Sequence, residues 1–446
     1  MRTIDKIRKY INQRLASGEL KAGSRLPSSN EMMRLFESSY ATVRLSLRKL
    51  ADEGLVDVAN GRGSFVAGAR KLDVIFYCLP TSVEFDQLER LLEKHINKNC
   101  LHLNIHLRNV FNLITGRETG APDNVNKVVI VECAPEMTYN IPGLYNFIDY
   151  DGYSDLLRKL MPETMETMNG GLPFYSYTSQ LAVNDELLRK TGFPMEQITG
   201  DFLWWEDFVA ACGKVNLCPA SFDWKREAKW PFNNLYCPFF SLKLHETNSL
   251  EALLTPRKPY FEGYAGRRLL EIIGDCKFSY SQEYPSFFEG NAVMNLSQSS
   301  WITVQNKKRA NINVNDLKII PYRLKGKNII NLQTNNLHTY ISPTANTEEK
   351  SRIWKLLQLL LSKSFQKEFC GMSGSVSVRK DLAAKDYAWY CDEFASFMPT
   401  AGDIIIHNQV FSRSMKAYLT ALIEQYKFNH ADKNVILKFM DNKIQQ

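Results

Sequence analysis

A chain of 446 residues is too long for one ordinary core, so two or three folding units are expected. Hydrophobic content of 44% with 23% charged residues describes a soluble globular protein, and no run of about 18 apolar residues suggests a membrane-spanning helix. The net charge of +7 is concentrated: residues 1–72 hold 14 basic against 7 acidic side chains and the remainder holds 41 of each, so a basic module suited to a polyanion precedes a neutral body.

Ile4, Ile7, Ile11 and Leu15 form a first helical stripe that Ser17-Gly18 closes. Pro27 suits the start of a second helix, Ser28 and Glu31 have capping-box spacing, and that helix runs through Met32, Leu35 and Phe36. Ser39 stands as N-cap of a third helix. There Val43, Leu47 and Leu50 recur on one face, while Ala41, Arg44 and Arg48 line another. Arginines on the exposed face of such a helix suit guanine edges and phosphates in a major groove. The segment LVDVANGRGSFVA reads as two short strands joined through Asn60-Gly61, with Arg62 at the tip.

The strand LDVIFYCLP follows with no Pro- or Ser-rich linker. Then come a helix from Phe85 to Ile96, an alternating strand from Leu101 to Leu107 and the buried strand KVVIVECAP, an α/β succession. The nine cysteines are scattered from Cys78 to Cys391 without a CxxC pair, which argues against a disulfide framework and a zinc site. His102 and His106 form no metal pattern with them and belong to a partly exposed strand. The N-terminal stretch has no apolar signal-peptide core, so a reduced, cytoplasmic protein is expected.

Residues 4–67 resemble the DNA-binding domain of GntR-type bacterial transcription regulators through GSRLPSSNEM, ATVRLSLRKLADEGLV and NGRGSFVA. The resemblance implies a winged helix that binds operator DNA as a dimer, with the third helix in the major groove and the wing in the adjacent minor groove. Ser28, Asn30, Ser39, Tyr40, Thr42, Arg44, Arg48, Arg62 and Gly63 are the implied DNA-binding residues. Three residues depart from the family: Ser29-Asn30 replaces the usual Glu-Arg, and Tyr40 replaces an arginine, which puts the operator sequence in doubt but not the binding mode.

Farther on, LPFYSYTSQLAVNDELLRKTGFP, LWWEDFVAACGKV, FFEGNAVMNLSQSSW, HTYISPTANTEEKSRIWKLLQLLLSKSFQKEF and SGSVSVRKDL occur in the order seen in sugar-type extracellular solute-binding proteins. This resemblance covers about residues 72–430. It implies an α/β multidomain fold: a winged helix-turn-helix at 1–70, then a periplasmic-binding-protein-like two-lobed clamshell at 71–446. Lobe 1 is expected at about 71–176 and 342–395, and lobe 2 at about 177–340 and 396–446.

A sugar site needs aromatic platforms beside hydrogen-bonding groups. By resemblance Trp301 sits where a sugar ring stacks. Tyr175, Ser176 and Tyr177 lie at the lobe crossing, Trp230 offers a second platform, and Glu84 can accept hydroxyl protons across the cleft. Each has a plain alternative as a core or surface residue. Trp205 is assigned to packing, and Arg379 to a solvated charge rather than lobe closure. No catalytic or cofactor motif stands out, so no enzyme, metal or cofactor is expected. The implied function is a transcription regulator controlled by a sugar or other small effector, as a homodimer on a palindromic operator with no membrane partner. The alternatives are a transport binding protein and a body like a pyridoxal-phosphate enzyme.

Overall fold

In the computed structural model of the chain, the described residues are 2–21, 23–53, 55–59, 63–67, 71–79, 84–99, 101, 103–124, 126–133, 141–165, 168, 170–223, 236–279, 287–300, 303, 312–407, 411 and 413–444. They divide into two compact units. One comprises Met1–Val74 with Ile96–His106, and the other Ile75–His95 with Leu107–Gln446.

Three helices open the chain: α1 (Thr3–Ala16), α2 (Ser29–Phe36) and α3 (Tyr40–Asp52). Ile7 and Ile11 of α1 are fully buried against Met32, Phe36, Val43, Leu47 and Leu50, whereas Leu15 is left 37% exposed in the last turn. At the start of α2, the Ser28 hydroxyl accepts the Glu31 N–H at 3.2 Å and the Glu31 carboxylate accepts the Ser28 N–H at 2.6 Å. Those hydrogen bonds hold the Glu31 carboxyl below its ordinary range. Ser28 is the cap, so Pro27 stands just outside it rather than inside the first turn. Glu37 ends α2 in the left-handed region at φ 48, which turns the chain sharply into α3.

Strands β1 (Val56–Ala59) and β2 (Gly63–Val66) pair antiparallel from Val56↔Val66 to Ala59↔Gly63. Asn60, Gly61 and Arg62, between their ends, lie outside the described residues. The hairpin gains a third run of backbone that periodicity does not reveal. Leu26 N–H donates to Ser64 O at 2.9 Å, Val66 N–H donates to Ser24 O at 2.8 Å, and Arg25 bridges Phe65. Gly63 has φ 109, and a Cβ there would lie 3.3 Å from the Arg25 Nε, so glycine suits this corner on both counts.

The chain continues through β3 (Leu72–Cys78), β4 (Leu103–Asn109), β5 (Val128–Cys133), β6 (Leu172–Asn184), β7 (Ala220–Asp223), β8 (Lys277–Ser279) and β9 (Met294–Ser299). It then forms β10 (Leu317–Ile320), β11 (Tyr322–Leu324), β12 (Lys327–Ile341), β13 (Val376–Ser377) and β14 (Ile404–His407). From β5 onward the sheet runs in the order β5-β12-β6-β9-β7-β8, and β7 lies parallel to both β8 and β9. The mixture of parallel and antiparallel pairs with intervening helices is an α/β sheet.

Strands β6 and β12 organise the body, because each changes partners part-way along. Residues 336–341 of β12 pair with β5, whereas Ile329–Leu332 pair with β14. Ser176 and Tyr175 of β6 pair with β13, and residues 179–184 pair with β9 and β10. The two strands meet each other at Tyr177↔Gln333 through Leu172↔Leu337, with a bulge between Asn335 and Asn336. The apolar cluster around Val129, Val131 and Tyr340 belongs to the β5 side; the larger cluster holding Trp205, Phe208 and Leu269 belongs to the β9 side.

Candidate functional site

The first candidate surface is the outer face of α3. The Ser39 hydroxyl accepts the Thr42 N–H at 3.2 Å and lies 2.8 Å from the Thr42 hydroxyl, and the Ser46 hydroxyl donates to Thr42 O at 2.8 Å. These bonds set the helix start, and Val43, Leu47 and Leu50 bury the inner face completely or nearly so. Tyr40, Thr42, Arg44, Arg48 and Lys49 are thereby left exposed together. The Arg44 guanidinium lies 5.8 Å from the Tyr40 ring centroid, a cation–π approach. Among the described residues no carboxylate pairs with Arg44 or Arg48, so both charges remain available to an anion. Ser28 and Asn30 are exposed at the start of α2, and Gly63 is exposed at the start of β2. Ser39→Ala removes the α3 cap and is expected to lower the unit's stability by about 1 kcal/mol in urea unfolding. An unchanged midpoint would mean the cap contributes nothing.

In the body, the crossing strands bring together a buried polar cluster. Glu132, near the end of β5, is 1% exposed and accepts a hydrogen bond from the Tyr175 hydroxyl. The Asn335 amide donates to the Glu132 carboxyl at 3.0 Å and to the Tyr175 oxygen at 2.7 Å. Burial pushes the Glu132 carboxyl up to about 7, against the opposing effect of its hydrogen bonds from Tyr175, Leu79 and Asn335. Ser176 is fully buried, 2.9 Å from the Thr334 hydroxyl. Tyr177, the next residue, is half-buried at the crossing. Of the three successive residues singled out in the sequence, two are therefore enclosed among partners and one reaches the surface. Glu84 is exposed just before helix Phe85–Lys98, its carbonyl accepting the Gln87 and Leu88 N–H groups. Trp301, Trp230 and Arg62 lie outside the described residues.

Glu132 and Asn335 were not singled out in the sequence, although an acid inside the apolar run VVIVEC is a visible signal of a buried, partnered carboxyl. Arg379 corrects an expectation. It is 7% exposed rather than solvated, held by Asp381 at 2.7 and 2.6 Å and by Leu361 O at 2.8 Å. A guanidinium with five donors tolerates burial when a carboxylate and a carbonyl meet them together. Trp205 is fully buried, and its indole donates to Asp275 at 2.9 Å, in keeping with a packing role. His106 is exposed on β4, 2.8 Å from the Asp73 carboxylate. Among the described residues there is no cluster of metal-binding side chains, and no helix is long and apolar enough to cross a membrane.

Residues 3–66 match the family described as bacterial regulatory proteins, gntR family. The first module is a gntR-type winged helix. The gntR-type segment also matches the histidine utilization repressor of Klebsiella aerogenes, 33% identical over 72 residues, which cover 16% of this chain and 30% of that protein. It matches the mannosyl-D-glycerate transport/metabolism system repressor MngR of Escherichia coli (strain K12), 31% identical over 87 residues, which cover 20% of this chain and 34% of that protein. The chain thus spans about a third of the length of the curated relatives it matches. The structure is similar to a chitin oligosaccharide binding protein with a TM-score of 0.64 and 17% identity, over 84% of this chain and 98% of that one. At that identity the likeness shows the fold: a gntR-type domain is joined to a body with the solute-binding-protein architecture.

Proposed function

We propose that the chain is a DNA-binding transcription regulator in which the gntR-type domain holds operator DNA and the body senses a small solute. The observation that carries this reading is the exposed α3 face, where Thr42, Arg44 and Arg48 stand together, the two arginines without carboxylate partners among the described residues, on a helix whose opposite face is sealed in a core. The two repressors that match this segment support it. One recognition helix spans few base pairs, so the reading includes a homodimer on a palindromic operator. It places the protein in the cytoplasm and assigns the body to binding, with no catalysis and no cofactor.

The effector we propose is a sugar or oligosaccharide held between the lobes near Tyr177, with Trp301 and Trp230 as its aromatic platforms. The fold's likeness to an oligosaccharide-binding protein supports that choice. A solute can shift operator binding only by its differential affinity for the two forms, about 1 to 3 kcal/mol in typical allosteric coupling, and the coupling is reciprocal. Operator DNA is therefore expected to change sugar affinity by the factor by which sugar changes operator affinity.

The test of DNA binding is a mobility-shift titration of full-length protein on an operator recovered by selection from random duplexes. Arg44→Ala is expected to weaken operator binding by about 1 to 3 kcal/mol and to relax the preference at one base position. Recovery of no preferred sequence, or an unchanged Arg44→Ala affinity, would remove the basis of the assignment.

A further inference from the structure

The body carries a concavity of about 420 Å³. Residues from helix Tyr153–Leu157, helix Thr347–Leu360 and the start of helix Lys363–Ser373 line it. A short ladder joins two of the contributing segments. Leu160 bridges Arg379, the Met161 N–H donates to Val378 O at 2.8 Å and the Lys380 N–H donates to Lys159 O at 3.1 Å.

We propose that this pocket binds a small phosphate monoester, of sugar-phosphate size. Three cationic side chains line it: Lys159, Lys363 and Arg379. Arg379 is already locked by Asp381 and the Leu361 carbonyl, so it forms a rigid, buried part of the wall. Among the described residues neither Lys159 nor Lys363 is in a direct ion pair, and Lys363 acts at longer range on Asp381 and Asp386, which are themselves paired with Arg379 and Lys367. The one carboxylate in the lining, Asp155, is paired with Arg158. Beyond residue 72 the chain has equal numbers of acids and bases, and the acids near this concavity, Asp155, Asp381 and Asp386, each pair with another base, so two lysines outside direct ion pairs are a local excess of positive charge. A concave wall of one sign concentrates its field and draws an anion. Gln358 and Ser362 add neutral hydrogen-bonding groups to the same lining, which suit the hydroxyls of a polyol. The volume lies within the range of small-molecule sites, with room for more than an inorganic ion.

The test is calorimetric titration of the full chain with glucose 6-phosphate, inorganic phosphate and glucose at constant ionic strength. Saturable binding of glucose 6-phosphate is expected, with weaker binding of inorganic phosphate. The double variant Lys159→Ala/Lys363→Ala is expected to lose about 10-fold or more in affinity for glucose 6-phosphate, while Lys159→Arg/Lys363→Arg stays near the wild type. Both lysines are exposed, so each double variant is expected to unfold at the wild-type urea midpoint. No saturable binding of either phosphate probe, or equal glucose 6-phosphate affinity in the alanine double variant, would overturn the proposal. A sugar site at the crossing strands responds to glucose and is indifferent to the lysine pair, so this outcome and that of the effector reading are separable.

Discussion

Trp205→Ala is expected to destabilise the body by about 3 to 5 kcal/mol, the cost of emptying a large, fully enclosed aromatic site. Trp205 is 0% exposed and its ring lies 6.2 Å from Phe202, 5.8 Å from Trp204 and 5.8 Å from Phe208, centroid to centroid. Removing the indole leaves a cavity that these rings cannot all move to fill, because Trp204 is itself fixed by a hydrogen bond to Thr199 O at 2.8 Å. Asp275, which loses its indole partner, is exposed and can turn to water, so the loss is chiefly of packing. Trp205→Phe keeps most of the apolar volume and is expected to cost clearly less. Urea unfolding followed by circular dichroism measures both. A loss below about 1 kcal/mol for the alanine variant would show that the site relaxes far more than its packing indicates.

Glu132→Gln is expected to change how stability depends on pH. Burial raises the Glu132 carboxyl from its ordinary 4.5 to about 7, so the native protein holds this proton more tightly than the unfolded chain does. The stability it contributes is fully present below about pH 4.5 and is lost as pH rises through about 7, an interval worth about 3 kcal/mol. Glutamine keeps the amide-accepting oxygen for Asn335 and Tyr175 but has no proton to lose. The variant is therefore expected to hold its stability between pH 5.5 and 8 while the wild type declines. Other groups do not mimic this difference. Glu118, Glu349, Glu368 and Asp381 have carboxyls held below their ordinary range and stay ionised throughout. His338, which burial lowers, works in the opposite direction but equally in both proteins. Urea midpoints at several pH values decide the matter; parallel curves for the two proteins would assign the proton elsewhere.

The winged helix was legible in the sequence because its signals are local. The capping box joins Ser28 to Glu31, three positions on, an N-cap reaches Thr42 from Ser39, and the stripe Val43, Leu47, Leu50 needs only the helical period. The extra backbone run at Ser24–Leu26 was not legible, since its partner is Ser64–Val66 and no side-chain pattern announces it. The strand KVVIVECAP was readable as buried for the same reason that helices were: an apolar run needs no knowledge of its neighbours.

By itself, then, the sequence determined where the basic module lies, how its three helices begin and which face of α3 stays outside. Charge, caps and periodicity act over a few residues and hold in any surroundings. Tertiary structure alone decided what the polar groups at the crossing meet. Glu132 finds Tyr175 43 residues away and Asn335 203 residues away, and Arg379 finds Leu361 O 18 residues back. The partners of Glu132 depend on the registers of β5, β6 and β12, and a buried acid takes its role from whichever donors the register delivers. Tyr175 and Tyr177 are the same residue type two positions apart on one strand, yet the first is enclosed against Glu132 and the second is half-exposed, because only the folded sheet distinguishes the depth of one position from the next.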